Sequence, residues 1–364
     1  MATIQPVYAN ATAQRFEDAM LLSAAGDAIG FYNGSWEFNY SSSSIHEEAK
    51  AINIEKTVIT LPKWNVSDDT VMHMATAKAL LAIDKKQFTS ALWRAICDEY
   101  VKCYDDMGGR APGPTCLNAT ADLRKYQQVP YSGAGGGCGA AMRTMCIGLA
   151  LHKENELDDL IAIAIEAGRC THNHPTGFLG SVVSALFTSY AVRGVPLLQW
   201  GYKFVAEVYP KCLEYMKKDA DNWDYYYKNN EYFINKWYYF LEQRGLNRPD
   251  ATQAVFPKGF VEDVKVRDTF YTKKLSYSGW AGSSGHDAVL IAYDALIGSQ
   301  GDWLKFLYWG VLHGGDNDST GAIGAAWFGT LYGTASIPKN HYEQLEFHDE
   351  LCDLAQQMFI FSQM

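Results

Sequence analysis

Two short acidic runs carry the densest chemistry in the 364-residue chain. Ser67-Asp68-Asp69-Thr70 stands directly before an apolar, helix-periodic segment at Val71, and Asp316-Asn317-Asp318-Ser319-Thr320 follows His313-Gly314-Gly315. Either run could simply begin a helix, because Ser and Asp are favoured N-caps and carboxylates suit the positive end of a helix dipole. A cap uses one side-chain oxygen, however, and each run offers two carboxylates and a hydroxyl. Clustered carboxylates beside an apolar helix repel one another and lose hydration unless a cation compensates them. Were the two loops to meet, four aspartates and two hydroxyls would form an all-oxygen set. That set suits Mg2+ or Mn2+ and lacks the thiolate and imidazole ligands zinc prefers. Two ordinary caps and one two-loop metal site are both compatible with these residues alone.

Three other motifs fail. Asp316-x-Asp318-x-Thr320-Gly321 copies the start of an EF-hand loop, but its twelfth position is Trp327 where a bidentate Glu is required. His46-Glu47-Glu48 is not H-E-x-x-H, and no strand precedes the Gly135-x-Gly137-x-x-Ala140 run that loosely copies a dinucleotide fingerprint. His172-Asn173-His174-Pro175 reads either as a site-lining pair or as a turn before the helix at Thr176. His286 and His313 each neighbour a Gly-rich loop and a carboxylate.

The elements that must position these residues are helical. Apolar spacing of three and four runs through Asp18–Ile29 (stopping at Gly30), Val71–Ile83, Ser90–Tyr104, Cys138–Leu151, Leu157–Gly168 and Thr176–Ala191. It continues through His286–Ile297, Trp303–Leu312, Thr320–Tyr332 and Tyr342–Phe361. The one strand candidate, Thr57–Leu61, is short. The expectation is an all-α fold, a single compact orthogonal multi-helix domain over 16–364 behind a flexible tail at 1–15. Trp200–Leu246, rich in Trp, Tyr and Phe, reads as an amphipathic helical excursion within that domain or a lid on it. Gly-rich joints at Gly108–Gly113, Gly133–Gly139 and Gly279–Gly285 can bring backbone N–H groups close to a ligand.

Composition narrows the partners. With 31 Lys+Arg against 41 Asp+Glu the net charge is −10, which argues against nucleic acid. Eight cysteines without C-x-x-C spacing fit reduced thiols of a cytoplasmic protein. The stretches Pro175–Val192 and Ser319–Pro338 approach membrane length but are diluted by Gly, Ser and Thr, so buried helices are expected and no membrane.

Taken together, VSDDTVMHMATAKALL, GGGCGAAMR (Gly135–Arg143), THNHPTGFLGSVVSALF, KLSYSGWAGSSGHDAVLIAYDA and HGGDNDSTGAIGAAW closely resemble the ADP-ribosylarginine hydrolases of the ADP-ribosylglycohydrolase family, in order from about Asp18 onward. The resemblance implies an all-α fold, two Mg2+ ions, and cleavage of the N-glycosidic bond between ADP-ribose and arginine. By residue, it implies Ser67, Asp68 and Asp69 as one half of the metal site and Asp316, Asp318 and Ser319 as the other, with the four aspartates catalytic. Substrate contacts are implied at Gly136, Gly137, Tyr277, Ser278, Gly279, Gly282, Ser283 and Ser284, and at Gly109, Arg110 and Gly113. A paralogous branch looks enzymatically dead through loss of acidic ligands; both acidic pairs are kept here. The stretch Glu37–Trp64, including Ser41–Ser44, diverges, which bears on how protein substrates dock.

The implied chemistry is hydrolysis through positive charge on the sugar, with a water deprotonated by Asp69 or Asp318. Expected partners are ADP-ribose and ADP-ribosylated proteins, met by a monomer. The alternatives are a sibling hydrolase for serine-linked ADP-ribose or O-acetyl-ADP-ribose, and a non-catalytic ADP-ribose-binding protein.

Overall fold

Helices account for nearly all the regular structure in the computed structural model, which describes residues 11–364. In chain order they are α1 (Ala13–Phe31), α2 (Ser42–Ala51), α3 (Asp68–Leu81), α4 (Ser90–Cys103), α5 (Pro114–Leu123) and α6 (Met145–Ala150). There follow α7 (Leu157–Arg169), α8 (Pro175–Arg193), α9 (Trp200–Lys203), α10 (Tyr209–Met216) and α11 (Trp223–Arg244). The chain ends with α12 (Val264–Phe270), α13 (Gly285–Ser299), α14 (Trp303–Phe306), α15 (Asn317–Tyr332) and α16 (His348–Gln363). Among the described residues there is no strand, only an isolated bridge between Gly137 and Ser284. The all-α expectation holds.

Several boundaries move for identifiable reasons. Thr57–Leu61 is not a strand; Ile59 N–H donates to the Asn340 carbonyl and the Asn340 side chain to the Thr57 carbonyl, with no backbone ladder. Cys138–Leu151 divides into a 3-10 turn at Cys138–Ala140 and α6. Trp303–Leu312 divides into α14 and a π-helical turn at Leu307–Val311. The expected tail is also shorter: Thr12 caps α1, and the buried Arg15 guanidinium donates to the carbonyls of Thr330, Ala191 and Val192. Residues 13–15 therefore belong to the fold, while 1–10 lie outside the described residues.

Small residues set the central packing. Helix α1 runs antiparallel to α15, with Gly26 against Gly321 and Gly30 against the Asn317–Asp318 backbone. A Cβ on Gly30 would sit 2.6 Å from Asp318 Cα, and one on Gly321 would sit 2.6 Å from the Gly26 carbonyl oxygen. Contacts that close require hydrogen in place of a methyl. Gly30 is thus not the expected helix stop: α1 continues to Phe31 and Tyr32 closes it in the left-handed region at φ 44°. Helix α8 is long and apolar enough to cross a membrane by length and composition, and it is buried throughout between α7, α13 and α15.

The aromatic segment at 200–246 packs into the body rather than standing off it. It breaks after α10 and resumes as α11, which ends at Gly245 (φ 64°). The α11 face of Tyr226, Trp237 and Phe240 meets Phe178, Phe187 and Tyr293, with ring centroids 5.3–5.9 Å apart. The Tyr226–Phe178 and Trp237–Phe187 pairs are edge-on, a geometry that adds about 1 kcal/mol each beyond burial.

Candidate functional site

Capping and site-building are separated cleanly at the first acidic loop. Ser67 Oγ accepts from Asp69 N–H (3.1 Å), which fulfils the N-cap of α3. Asp27 of α1, fully buried, accepts from Ser67 N–H (3.0 Å), Thr70 N–H (3.1 Å) and the Thr70 hydroxyl. The loop is thereby tied to α1, and the carboxylates of Asp68 and Asp69 are left over. One turn further along α1, Gly30 admits the second acidic loop. Helix α1 is the bracket that brings both together.

The second loop is held mostly by backbone. Asp316 N–H donates to the Ala281 carbonyl (2.9 Å), and Gly282 (φ 91°) lies so close to the Asp316 carbonyl that a side chain would collide with it. Asn317 Nδ2 donates to the Val311 carbonyl, and Ser319 N–H donates to Asp318 Oδ1 (3.0 Å). Asp316 Oδ2 accepts from the Cys138 thiol (3.1 Å).

Asp68, Asp69, Asp316 and Asp318 then line a single cavity of about 260 Å3, with Ser319, Glu37, Cys138, Met142, His172 and Gly113. No Lys or Arg side chain lines it among the described residues. Burial, reinforced by the neighbouring carboxylates, holds Asp68, Asp69 and Asp318 well above the usual carboxylate range. Burial also raises Asp316. Glu37 is pushed to about 9 by burial together with Asp316, Asp68 and Asp27, and burial lifts Asp27 to about 6. The Asp69 Oδ2 atom is buried without a hydrogen-bond partner.

Such a cavity asks for positive charge. Its ionisable donors are mainly carboxylate oxygens, with the Ser319 hydroxyl, the His172 ring and the Cys138 thiol beside them, and that thiol, raised by burial and by Asp316, stays protonated. The set fits a hard divalent cation and not zinc. Among the described residues no three His, Cys, Asp or Glu side chains close on one ligating point, so the carboxylates line a shared space rather than a finished cage.

A second cavity of about 440 Å3 adjoins the first across Gly137, which lines both. Its walls are Gly133, Ala134, Gly136, His174, Thr176, Tyr277 and Ser284, with Lys228, Asn229 and Tyr232 from α11. Ser283 lines the acidic cavity and its carbonyl accepts from Cys138 N–H (3.1 Å). A further cavity of about 490 Å3, between α2 and α12, contains none of the acidic-loop residues.

The expected site residues divide accordingly. Asp68, Asp69, Asp316, Asp318 and Ser319 converge, and Gly113, Gly136, Gly137, Tyr277, Ser283 and Ser284 line one cavity or the other. Ser67 is not among the lining residues, and its oxygen accepts the cap hydrogen bond from Asp69 N–H. Arg110 is a correction: its guanidinium is bound by Glu346 (2.8 Å), Asp106 (3.0 Å) and the Val66 carbonyl, so none of it reaches either cavity. Gly109, Ser278 and Gly279 line neither cavity, and Gly282 acts by close backbone packing. The two histidines of H-N-H-P part company. His174 caps α8 through Nδ1 (3.1 Å to Thr176 N) beside the second cavity, and His172 lines the acidic one. His286 and His313 are buried, their Nε2 atoms bound to the Leu275 carbonyl and the Thr320 hydroxyl, and neither lines either cavity. Glu37, Asp27 and Cys138 carry no pattern that singles them out, although an Asp amid the apolar residues 19–30 was a usable signal for Asp27.

Comparison with known proteins agrees with this architecture. The family model described as ADP-ribosylglycohydrolase matches residues 9–364. A Dictyostelium discoideum protein named ADP-ribosylhydrolase ARH1 is 42% identical over 382 residues, covering 97% of this chain and 96% of that protein. A solved structure described as an ADP-ribosylglycohydrolase-related protein complex shares the fold, with a TM-score of 0.58 at 20% identity, over 96% of this chain and 98% of that one. A match over almost the whole length, joined to two acidic loops meeting in one cavity, makes this chain a member of the ADP-ribosylglycohydrolase family.

Proposed function

We propose that the protein is a Mg2+-dependent hydrolase that removes ADP-ribose from arginine side chains of modified proteins. One observation carries the proposal: four aspartates from two remote loops, with Glu37, line a cavity that has no cationic side chain and adjoins a glycine-walled one. Asp68, Asp69, Asp316, Asp318 and Ser319 would hold the ions, with Mn2+ an acceptable substitute. When bound, Mg2+ supplies Lewis acidity toward the ribose hydroxyls and a water. Of Asp69 and Asp318, Asp69 is the better suited to take the proton from water, because its Oδ2 has no hydrogen-bond partner among the described residues. Glu37, protonated in the metal-free cavity, is the carboxylic acid suited to protonate the departing guanidine. Backbone N–H groups of Gly136 and Gly137 would meet the diphosphate, and Tyr232 or Tyr277 the adenine face.

Arginine is favoured over the other linkages by the rim. Phe38, next to Glu37, meets Trp280 edge-on at 5.1 Å, and Tyr40 packs on the same indole at 4.0 Å. Exposed aromatic faces beside a carboxyl group suit a guanidinium. The eight free thiols support a cytoplasmic enzyme.

The test is a panel of ADP-ribosyl-arginine, ADP-ribosyl-serine and O-acetyl-ADP-ribose with wild type and the Asp68→Asn/Asp69→Asn double variant. Hydrolysis of the arginine conjugate by wild type alone, abolished by EDTA and restored by Mg2+, is expected. Wild-type turnover by the double variant would overturn the metal assignment, and turnover of another conjugate alone would overturn the arginine assignment.

A further inference from the structure

Behind the acidic cavity runs a buried hydrogen-bond chain that ends on His172. Arg143 is fully buried, lies over the Tyr100 ring at 4.6 Å, and donates through Nη2 to the Ala167 carbonyl (2.8 Å) and to Thr171 Oγ1 (2.8 Å). Thr171 Oγ1 is 2.7 Å from His172 Nδ1. The other ring nitrogen, Nε2, faces Gly137 and Gly139, where an added Cβ would come within 3.1 Å of it. His172 is 3% exposed, lines the acidic cavity, and its Nε2 makes no hydrogen bond to the protein among the described residues.

The order of donors follows from what each group can do. A guanidinium only donates, so Thr171 Oγ1 must accept from Arg143. The hydroxyl has one proton of its own, and the strongest acceptor in reach is the imidazole nitrogen. The competitor is the Cys116 thiol beside Thr171, a weak acceptor. Nδ1 therefore accepts, and the ring proton sits on Nε2. Burial, with Arg143 behind, keeps the ring neutral, its pKa pushed down to about 3.

We propose that Arg143 and Thr171 are positioning residues that lock His172 in its neutral Nε2–H form, and that this N–H is a fixed donor to an oxygen of the ADP-ribosyl group in the acidic cavity. The identity of that ligand rests on the function proposed above; the proton placement does not. A cationic histidine here would ion-pair with the carboxylates and compete with the metal, whereas a neutral donor leaves them free while still orienting the sugar or phosphate.

Long-range 1H–15N correlation spectra of 15N-histidine-labelled protein read the proton directly, with His172→Gln used for assignment. The expected spectrum shows a bare Nδ1 and a protonated Nε2 at His172; the reverse tautomer or an imidazolium overturns the lock. Thr171→Val should lose the fixed tautomer and lower kcat for ADP-ribosyl-arginine about tenfold, while Thr171→Ser, which keeps the hydroxyl, restores both. A Thr171→Ser variant as impaired as Thr171→Val would count against a hydrogen-bonding role. Calorimetry with ADP-ribose should show about tenfold weaker binding in His172→Ala. Equal affinity overturns the donor role. If wild type itself binds no ADP-ribose, the hydrolase reading fails and the tautomer measurement stands apart from it.

Discussion

Asp69 is the residue on which the cavity makes its strongest demand. Among the described residues its Oδ2 is buried without a hydrogen-bond partner, and its charged neighbours are further carboxylates. An isolated arrangement of this kind is unfavourable, so removing one charge should help the empty protein while destroying the enzyme. Asp69→Asn is expected to raise the Tm of the metal-free protein and to lower kcat at least about 100-fold, the scale of losing a general base. A melting curve in EDTA and a turnover assay check both halves; a lowered Tm would mean Asp69 is a structural acceptor after all. Asp68, Asp69, Asp316 and Asp318 were legible in the sequence because paired carboxylates exceed what a helix cap uses. Glu37 was not, since its only distinction is where the chain folds it. Arg110 misled for the complementary reason: nothing near it in the chain reveals that Glu346, 236 residues later, binds its guanidinium.

Among the elements, α1 does two jobs with residues three apart: Asp27 tethers the loop at 67–70, and Gly30 lets α15 approach. Gly30→Ala would place a methyl 2.6 Å from Asp318 Cα, and only movement of backbone can relieve it. Overpacking of this kind costs about 1–3 kcal/mol. The prediction is a lowered Tm together with weakened Mg2+ binding by calorimetry. Gly298→Ala is the control: on α13 and away from the cavity, it would collide with the Trp309 ring of the π-helical turn, and should lower Tm without changing Mg2+ affinity. The helices themselves were readable from three-four spacing, and their division was not. Cys138–Leu151 looks continuous by periodicity, but Gly137 and Cys138 are held by the 283–284 backbone, which forces a turn before α6.

Across the whole molecule, stability and metal binding should answer to pH in opposite senses. Glu37, at about 9 when folded against an ordinary value near 4.3, keeps a proton that the unfolded chain releases. Its contribution to stability is complete below about pH 4 and is lost as pH rises toward 9. Asp287, raised to about 7 by burial, acts the same way over a lower range. Buried His73 and His286, both pushed down to about 3, titrate only in the unfolded chain below about 6.5 and so leave the alkaline side untouched. The metal-free Tm is therefore expected to fall between pH 7 and 9. Ligation requires deprotonated carboxylates, so the Tm gain on adding Mg2+ should grow over the same interval. Thermal melts with and without Mg2+ at pH 7 and 9 test this, and a gain that shrinks with pH would remove Glu37 from the ion's surroundings.

The α1–α15 seam also has a consequence in time. Arg15 and the Thr330 carbonyl that it grips are 315 positions apart, so α1 waits for its partner until that whole intervening stretch has left the ribosome. Closing so large a loop is a slow, late step in folding. During synthesis the first acidic loop emerges long before the second, so under the proposed function metal capture would wait for α15.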